Sequence, residues 1–196
     1  MRKPSHIIST GALVLTITLA GCASSSTPTT TVKKPVPPVQ DLQVNGHAAT
    51  IELNSPGLLT GDTIHVGKTC KATSLAPTFT WGELPLGTAE LALFVLFVPK
   101  GNGILLKWAA AGISPTVREV GADELPVGAI LGRQSGGHRP FSACPRPGTT
   151  ATYLFLLYAL PTKHAVHPGF EEAKLFTPIY SSSAPFGAFV VNYARS

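Results

Sequence analysis

Three predominantly apolar stretches, the second with Lys107 set among apolar neighbours, constrain most strongly what this chain can fold into. They are "ELALFVLFV" at 90–98, "ILLKWAAA" at 104–111 and "TYLFLLYAL" at 152–160. The first is bounded by "PLGT" and "PKGNG". Runs this short, closed off by glycine and proline, read as strands buried on both faces. Shorter groups of β-formers, "ATIEL" (49–53), "DTIHV" (62–66) and "APTFTW" (76–81), lie between Gly, Pro and Asn breaks. Only "PGFEEAKL" (168–175) has the layout of a short helix, with Pro168 early, Glu171 and Glu172 near its start and Lys174 later. With 19 Gly, 18 Pro and 13% charged residues, the composition suits a loop-punctuated β protein and not a helical bundle. No unit recurs at the spacing of a solenoid or a propeller.

The N-terminus has a different character. "MRKPSHIISTGALVLTITLAGC" places Arg2 and Lys3 before an apolar core, which ends at Leu19-Ala20-Gly21-Cys22. The core is too short to span a bilayer and has the order of a secretory signal, assigned to residues 1–21. Small residues before Cys22 resemble the bacterial lipoprotein processing box, in which that cysteine is acylated (palmitate being a typical chain) and becomes the first residue. Residues 22–41 then form a tether. Its "ASSSTPTTTVKKPVPPVQ" has almost no large apolar side chain, so burial cannot offset the entropy of ordering it. Several acyl chains, at about 0.8 kcal/mol per buried CH₂, would hold the chain durably at an extracytoplasmic membrane surface.

The formal charge of +5 does not indicate a nucleic-acid partner. Arg2, Lys3, Lys33 and Lys34 lie in the leader and tether, which leaves 11 basic against 10 acidic residues from Asp41 onward. A nearly neutral domain has no stripe to neutralise phosphates.

Four segments in a fixed order resemble one family. They are "LAPTFTWGELPLGT" with the strand after it, "KW" in the next strand, "CPRPGTTATYLFLLYAL", and the closing "FVVNYARS". Together they are similar to the phosphatidylethanolamine-binding protein family, whose bacterial members are often called Raf-kinase-inhibitor-like. The resemblance covers roughly residues 60–196 and implies that residues 42–196 form one mainly β domain. Its fold would be a sandwich of two antiparallel sheets with a short C-terminal helix and a small anion pocket at one end.

In the family, an Asp-Pro-Asp turn and two histidines line that pocket beside a proline-rich collar. Imidazoles and loop amides donate there to a phosphate or carboxylate, and a carboxylate orients them. This chain departs from the pattern at each ligating position. The Asp-Pro-Asp turn falls on Phe97, Val98 and Pro99, the first histidine on Lys107 beside Trp108, and the second on Ala151. Tyr153 and the collar prolines Pro145 and Pro147 remain. The expected pocket is therefore drier and more apolar, on a domain that binds a small ligand or an envelope protein and catalyses nothing. The alternative is that Lys107, helped by Arg146, replaces the lost imidazoles and still receives a small phosphorylated or carboxylated ligand. A lysine there can also simply snorkel to the surface. A weaker alternative makes "RQSGGHRPFSACPRP" (133–147) an inhibitory loop aimed at an envelope enzyme.

Cys70 and Cys144 remain once Cys22 is acylated, and the family fold would bring both to the pocket end as a disulfide; buried free thiols are the competing reading. His164 and His167 make an H-x-x-H pair read as a solvated turn, so no metal is expected. His47, His65 and His138 are read as edge or loop residues. Glu83 and Glu90 flank a strand and share no cleft, and Ser181–Ser183 form a polar linker. Trp81 and Trp108 are read as core or pocket-wall anchors. The chain lacks the nucleophile-elbow, phosphate-loop and zincin motifs, so no catalytic residue and no cofactor is assigned.

Overall fold

The computed structural model describes residues 43–67, 76–100, 103–121, 124–133 and 141–196, within one compact unit, Pro35–Ser196. The chain order is β1 (Gln43–Val44), β2 (His47–Ala48), β3 (Leu53–Asn54), β4 (Thr63–Val66), β5 (Phe79–Trp81), β6 (Glu90–Val98) and β7 (Leu105–Ile113). There follow β8 (Glu119–Val120), β9 (Ile130–Leu131), β10 (Thr150–Leu160), α1 (Glu172–Tyr180) and β11 (Phe186–Arg195).

The long apolar runs are central strands. A six-stranded sheet runs in the order β4-β11-β10-β6-β7-β9, and a three-stranded sheet in the order β3-β5-β8 packs on one of its faces. Between them lies a core that includes Phe79, Trp81, Leu93, Val95, Trp108, Phe155 and Phe189. The opposite face carries Phe94, Leu96, Leu156 and Tyr158, covered by Leu175, Phe176 and Ile179 of α1 and by Val44 of the β1–β2 hairpin. Side chains alternate across a strand, so two covered faces require an unbroken apolar run, as β6 shows. Each fully buried Leu or Phe contributes about 1.5–3 kcal/mol relative to exposure.

Gly187 marks the closest approach of the layers. A Cβ there would lie 2.9 Å from both the Ile51 carbonyl oxygen and the Leu53 Cβ. The adjacent Phe186 carbonyl accepts the Thr50 and Ile51 N–H groups at 2.9 and 3.0 Å.

Three details differ from the sequence reading. The expected helix at 168–175 lies instead at Glu172–Tyr180, with Pro178 inside it and β11 after it. Residues 168 and 169 form a turn closed by Phe170 N–H on the His167 carbonyl, and Phe170 makes an isolated bridge to Gly132, with Gly169 N–H donating to the Leu131 carbonyl and Arg133 N–H to that of Phe170. Segment 49–53 is mostly loop up to Leu53, because the Thr50 and Ile51 N–H groups converge on the single Phe186 carbonyl at the start of β11 and form no ladder. The large sheet is mixed, since β4 runs parallel to β11 while its other pairings are antiparallel.

Candidate functional site

The end of the sandwich where β6 stops and β10 starts collects the expected pocket residues. Phe97 is the register partner of Tyr153, with ring centroids 5.6 Å apart. Tyr153 also meets Phe141 at 5.1 Å and Tyr193 at 5.5 Å, both edge-on. Edge-to-face packing of this kind adds about 0.5–1.5 kcal/mol per pair beyond burial. Ala151 is buried opposite Tyr193 on β11.

Lys107 reaches this cluster because the strand is irregular. Val95 pairs with Trp108, but Leu96 pairs with Leu106, which leaves Lys107 as the extra residue of a β-bulge. A bulge re-aims the side chain it carries. The Lys107 ammonium lies 5.9 Å from the centroid of the Phe97 ring, within cation–π range, while the residue stays exposed.

The other assigned residues divide. Trp108 is 4% exposed and lines a 20 Å³ void in the core with Phe141 and Phe155, so it is a packing residue and not an open wall. Val98 and Pro99 are half-buried at the end of β6. Pro145 is buried, while Pro147 and Arg146 are exposed. The collar is tied to the C-terminus: Arg195 donates to the Pro145 carbonyl at 3.2 Å, and Gly148 N–H to the Arg195 carbonyl at 2.9 Å. Cys22, Cys70 and His138 lie outside the described residues, as does much of the 133–147 loop.

Burial sets the electrostatics. Desolvation raises the Tyr153 phenol above its usual value. The Tyr193 phenol is pushed up further, first by burial and then by Tyr153. Its hydroxyl is buried without a hydrogen-bond partner among the described residues. The result is an aromatic wall with one cation at its rim. Such a wall suits apolar or aromatic surface, with Lys107 free to meet an anionic group at the edge.

Tyr193 and Phe141 were not anticipated. The signal for Tyr193 was its alternation with Phe189 and Val191, which puts all three on the inner face. Phe141 adjoins an irregular segment with no period to read.

A second polar cluster occupies the opposite end. Glu90, read as a strand flank, is 3% exposed. Its Oε2 accepts the His164 N–H at 2.7 Å and its Oε1 the Gly112 N–H at 3.2 Å. His164 is therefore not a solvated turn residue: its Nδ1 is buried, 3.9 Å from Glu90 Oε1. His167 is exposed. Among the described residues, no three His, Cys, Asp or Glu side chains gather as metal ligands.

Comparison with known proteins agrees with this architecture. The sequence model "Phosphatidylethanolamine-binding protein" matches residues 54–188. "Putative lipoprotein LppC" of Mycobacterium tuberculosis is 32% identical over 167 residues, which cover 83% of each chain. "UPF0098 protein YbcL" of Escherichia coli is 32% identical over 135 residues, covering 61% of this chain and 73% of YbcL. The crystal structure of E. coli YbcL, described as a member of the mammalian PEBP family, superposes with a TM-score of 0.61 at 25% identity, covering 74% of this chain and 99% of that one. The fold is shared with CT736 of Chlamydia trachomatis, at a TM-score of 0.60 and 19% identity over 76% of this chain and all of that one. With a family model matched over most of its length and the two-layer sandwich to go with it, the chain belongs to the phosphatidylethanolamine-binding protein family.

Proposed function

We propose that this protein is a lipid-anchored envelope protein whose domain binds and does not catalyse, through a family site rebuilt as an aromatic wall. The observation that carries the reading is the Phe97–Tyr153 pair capped by Lys107. Phe97 stands where the resemblance expects a carboxylate, and Ala151 and Lys107 where it expects imidazoles. An aromatic ring and a methyl group accept no proton, so among the described residues the carboxylate–imidazole set that the resemblance implies is not present. The preferred occupant is an apolar or aromatic group of a small ligand or of an envelope protein. The anchor at Cys22 is supported by the leader, the processing box and the lipoprotein name carried by the M. tuberculosis relative.

A second reading, a small phosphorylated or carboxylated ligand held by Lys107, is favoured by the exposure of that ammonium at the rim.

Restoring the family side chains tests the first reading. The triple variant Phe97→Asp/Lys107→His/Ala151→His is expected to gain phosphoethanolamine binding, measured calorimetrically, that the wild type lacks. Equal binding by a folded triple variant and the wild type would overturn it.

A further inference from the structure

One short turn motif, overlooked in the sequence reading, recurs once with small changes, as Glu83-Leu84-Pro85-Leu86-Gly87-Thr88 and Glu124-Leu125-Pro126-Val127-Gly128-Ala129; it is a lone pair of turns and not a structural repeat. The structure folds both copies the same way. Thr88 N–H closes on the Pro85 carbonyl at 3.2 Å, and Ala129 N–H on that of Pro126 at 3.0 Å. Gly87 and Gly128 take φ of 83° and 90°, the left-handed geometry that glycine adopts without strain in such turns. In each copy the first leucine, Leu84 or Leu125, packs inward against the sandwich core. The next apolar residue points out: Leu86 is 104% exposed and Val127 99%.

Both turns lie at the same end of the large sheet. Ala89, next to the first turn, donates its N–H to the Leu160 carbonyl at 2.8 Å, where β6 starts and β10 ends. The Gly128 carbonyl oxygen lies 3.1 Å from where a Cβ of Gly112 would be, and the Gly112 N–H donates to Glu90 at that same end. A strand advances about 3.3 Å per residue, so this end is roughly 23 Å from Phe97 along β6.

The described chain also begins here. Asn45, in the hairpin that opens it, donates to the Tyr180 carbonyl at 3.0 Å. On either side of Tyr180, Ile179 and Ser182 line a cavity of about 450 Å³ that Leu86 and Thr88 also line. Among the described residues, no Asp, Glu, Lys or Arg lines that cavity, and His164 is the titratable side chain at its wall.

We propose that Leu86 and Val127 are paired apolar prongs that seat this end of the domain on a lipid bilayer surface. The inference rests on the lipid-anchor reading. The hairpin that begins at Gln43 is bonded beside the prongs, and in the anchored chain only residues 22–42 separate it from Cys22, so the anchor favours this end of the domain at the membrane. Two side chains bind a bilayer weakly on their own. A tether makes the encounter intramolecular, at an effective concentration that reaches the millimolar range for short flexible linkers, and weak contacts then suffice. The prongs themselves are apolar, and the exposed Glu83 and Glu124 beside the turns would be repelled by anionic headgroups, so the surface they fit is a neutral one. In this pose the Phe97–Tyr153 site at the other end faces away from the bilayer, open to ligands or partners.

The test uses the full acylated chain in phosphatidylcholine vesicles whose acyl chains are brominated, a short-range fluorescence quencher. Trp81 and Trp108 are 5% and 4% exposed and provide a shielded background. Leu86→Trp and Val127→Trp are expected to lose most of their added emission on brominated lipid. Leu105→Trp, half-exposed and paired with Phe97 at the opposite end, is expected to keep its emission. Flotation of the wild type with the vesicles reports the anchor separately. A chain that floats without quenching at 86 and 127, or with stronger quenching at 105, overturns the docking and leaves the anchor standing. A wild type that does not float overturns the anchor and the docking with it. Blue-shifted emission at 86 and 127 without vesicles assigns the prongs to a second copy and overturns the lipid surface.

Discussion

The Lys107 ammonium sits 5.9 Å from the centre of the Phe97 ring, held there by a bulge that gives Lys107 no partner on β6. An exposed cation–π contact contributes about 0.5–1 kcal/mol. Lys107→Ala is therefore expected to cost less than about 1 kcal/mol in denaturant unfolding, while Phe97→Ala, which removes a half-buried ring from the aromatic wall, costs about 1–2 kcal/mol. Equal losses for the two would mean that Lys107 has a structural role beyond the site rim.

Glu90 anchors the opposite end by accepting two backbone N–H groups while buried. Hydrogen bonds to a charged group contribute about 1.5–3 kcal/mol each, and stranded donors add a desolvation cost. Glu90→Ala is expected to lower unfolding stability by about 3 kcal/mol. The Gly112 amide of β7 and the His164 amide beyond β10 should also lose hydrogen-exchange protection before the amides of β6. Uniform loss across β6 would count against a local anchoring role.

Gly187 separates the two layers at the Ile51 and Leu53 contact. Gly187→Ala puts a methyl group into backbone that cannot step aside, which costs about 1–3 kcal/mol. Gly148→Ala meets no neighbour, and its φ of 71° makes it a control for backbone strain alone. Thermal unfolding of the pair separates the two causes.

The phenols predict alkaline behaviour. Tyr153, Tyr158 and Tyr193 are all raised by burial, Tyr158 and Tyr193 most strongly. A raised folded pKa means that the unfolded chain loses these protons first. Stability is therefore complete below about pH 10 and falls as pH rises above it. Ultraviolet titration is expected to show phenolate appearing late and together with unfolding. Ionisation of all tyrosines near pH 10 with the fold intact would contradict this burial.

The family resemblance implies Cys70 as the disulfide partner of Cys144, and the pairing is open to a direct test. Closing a loop of that length contributes about 2–4 kcal/mol. After thiol blocking, intact mass should show at most one alkylated cysteine in an unacylated sample, and three once the sample is reduced first.

The strands that build the core were legible because burial on both faces leaves no polar alternation; β6 spans the predicted 90–98, and β7 and β10 differ from their runs by a residue or two. The helix was displaced because Pro168 and Gly169 resemble a helix start, yet their backbone is taken by Leu131 and its neighbours. At the site, Phe97 and Tyr153 were both assigned to the expected pocket through the family resemblance, while their pairing across β6 and β10 came from the structure. The bulge that aims Lys107 could not, since one extra residue in a strand leaves no mark in an apolar run. The burial of Glu90 was equally hidden, because its donors come from residues 22 and 74 positions away.

The most direct test of the rebuilt site is an NMR titration of the chain from Pro35 onward with phosphate, phosphoethanolamine and short-chain phospholipid, repeated on Lys107→Ala. The account predicts no response to the two phosphate compounds at millimolar concentration, with any shifts from phospholipid retained in the variant. Shifts from phosphate that cluster at Lys107, Tyr153 and the collar, and vanish in Lys107→Ala, would contradict it and establish Lys107 as the anion ligand.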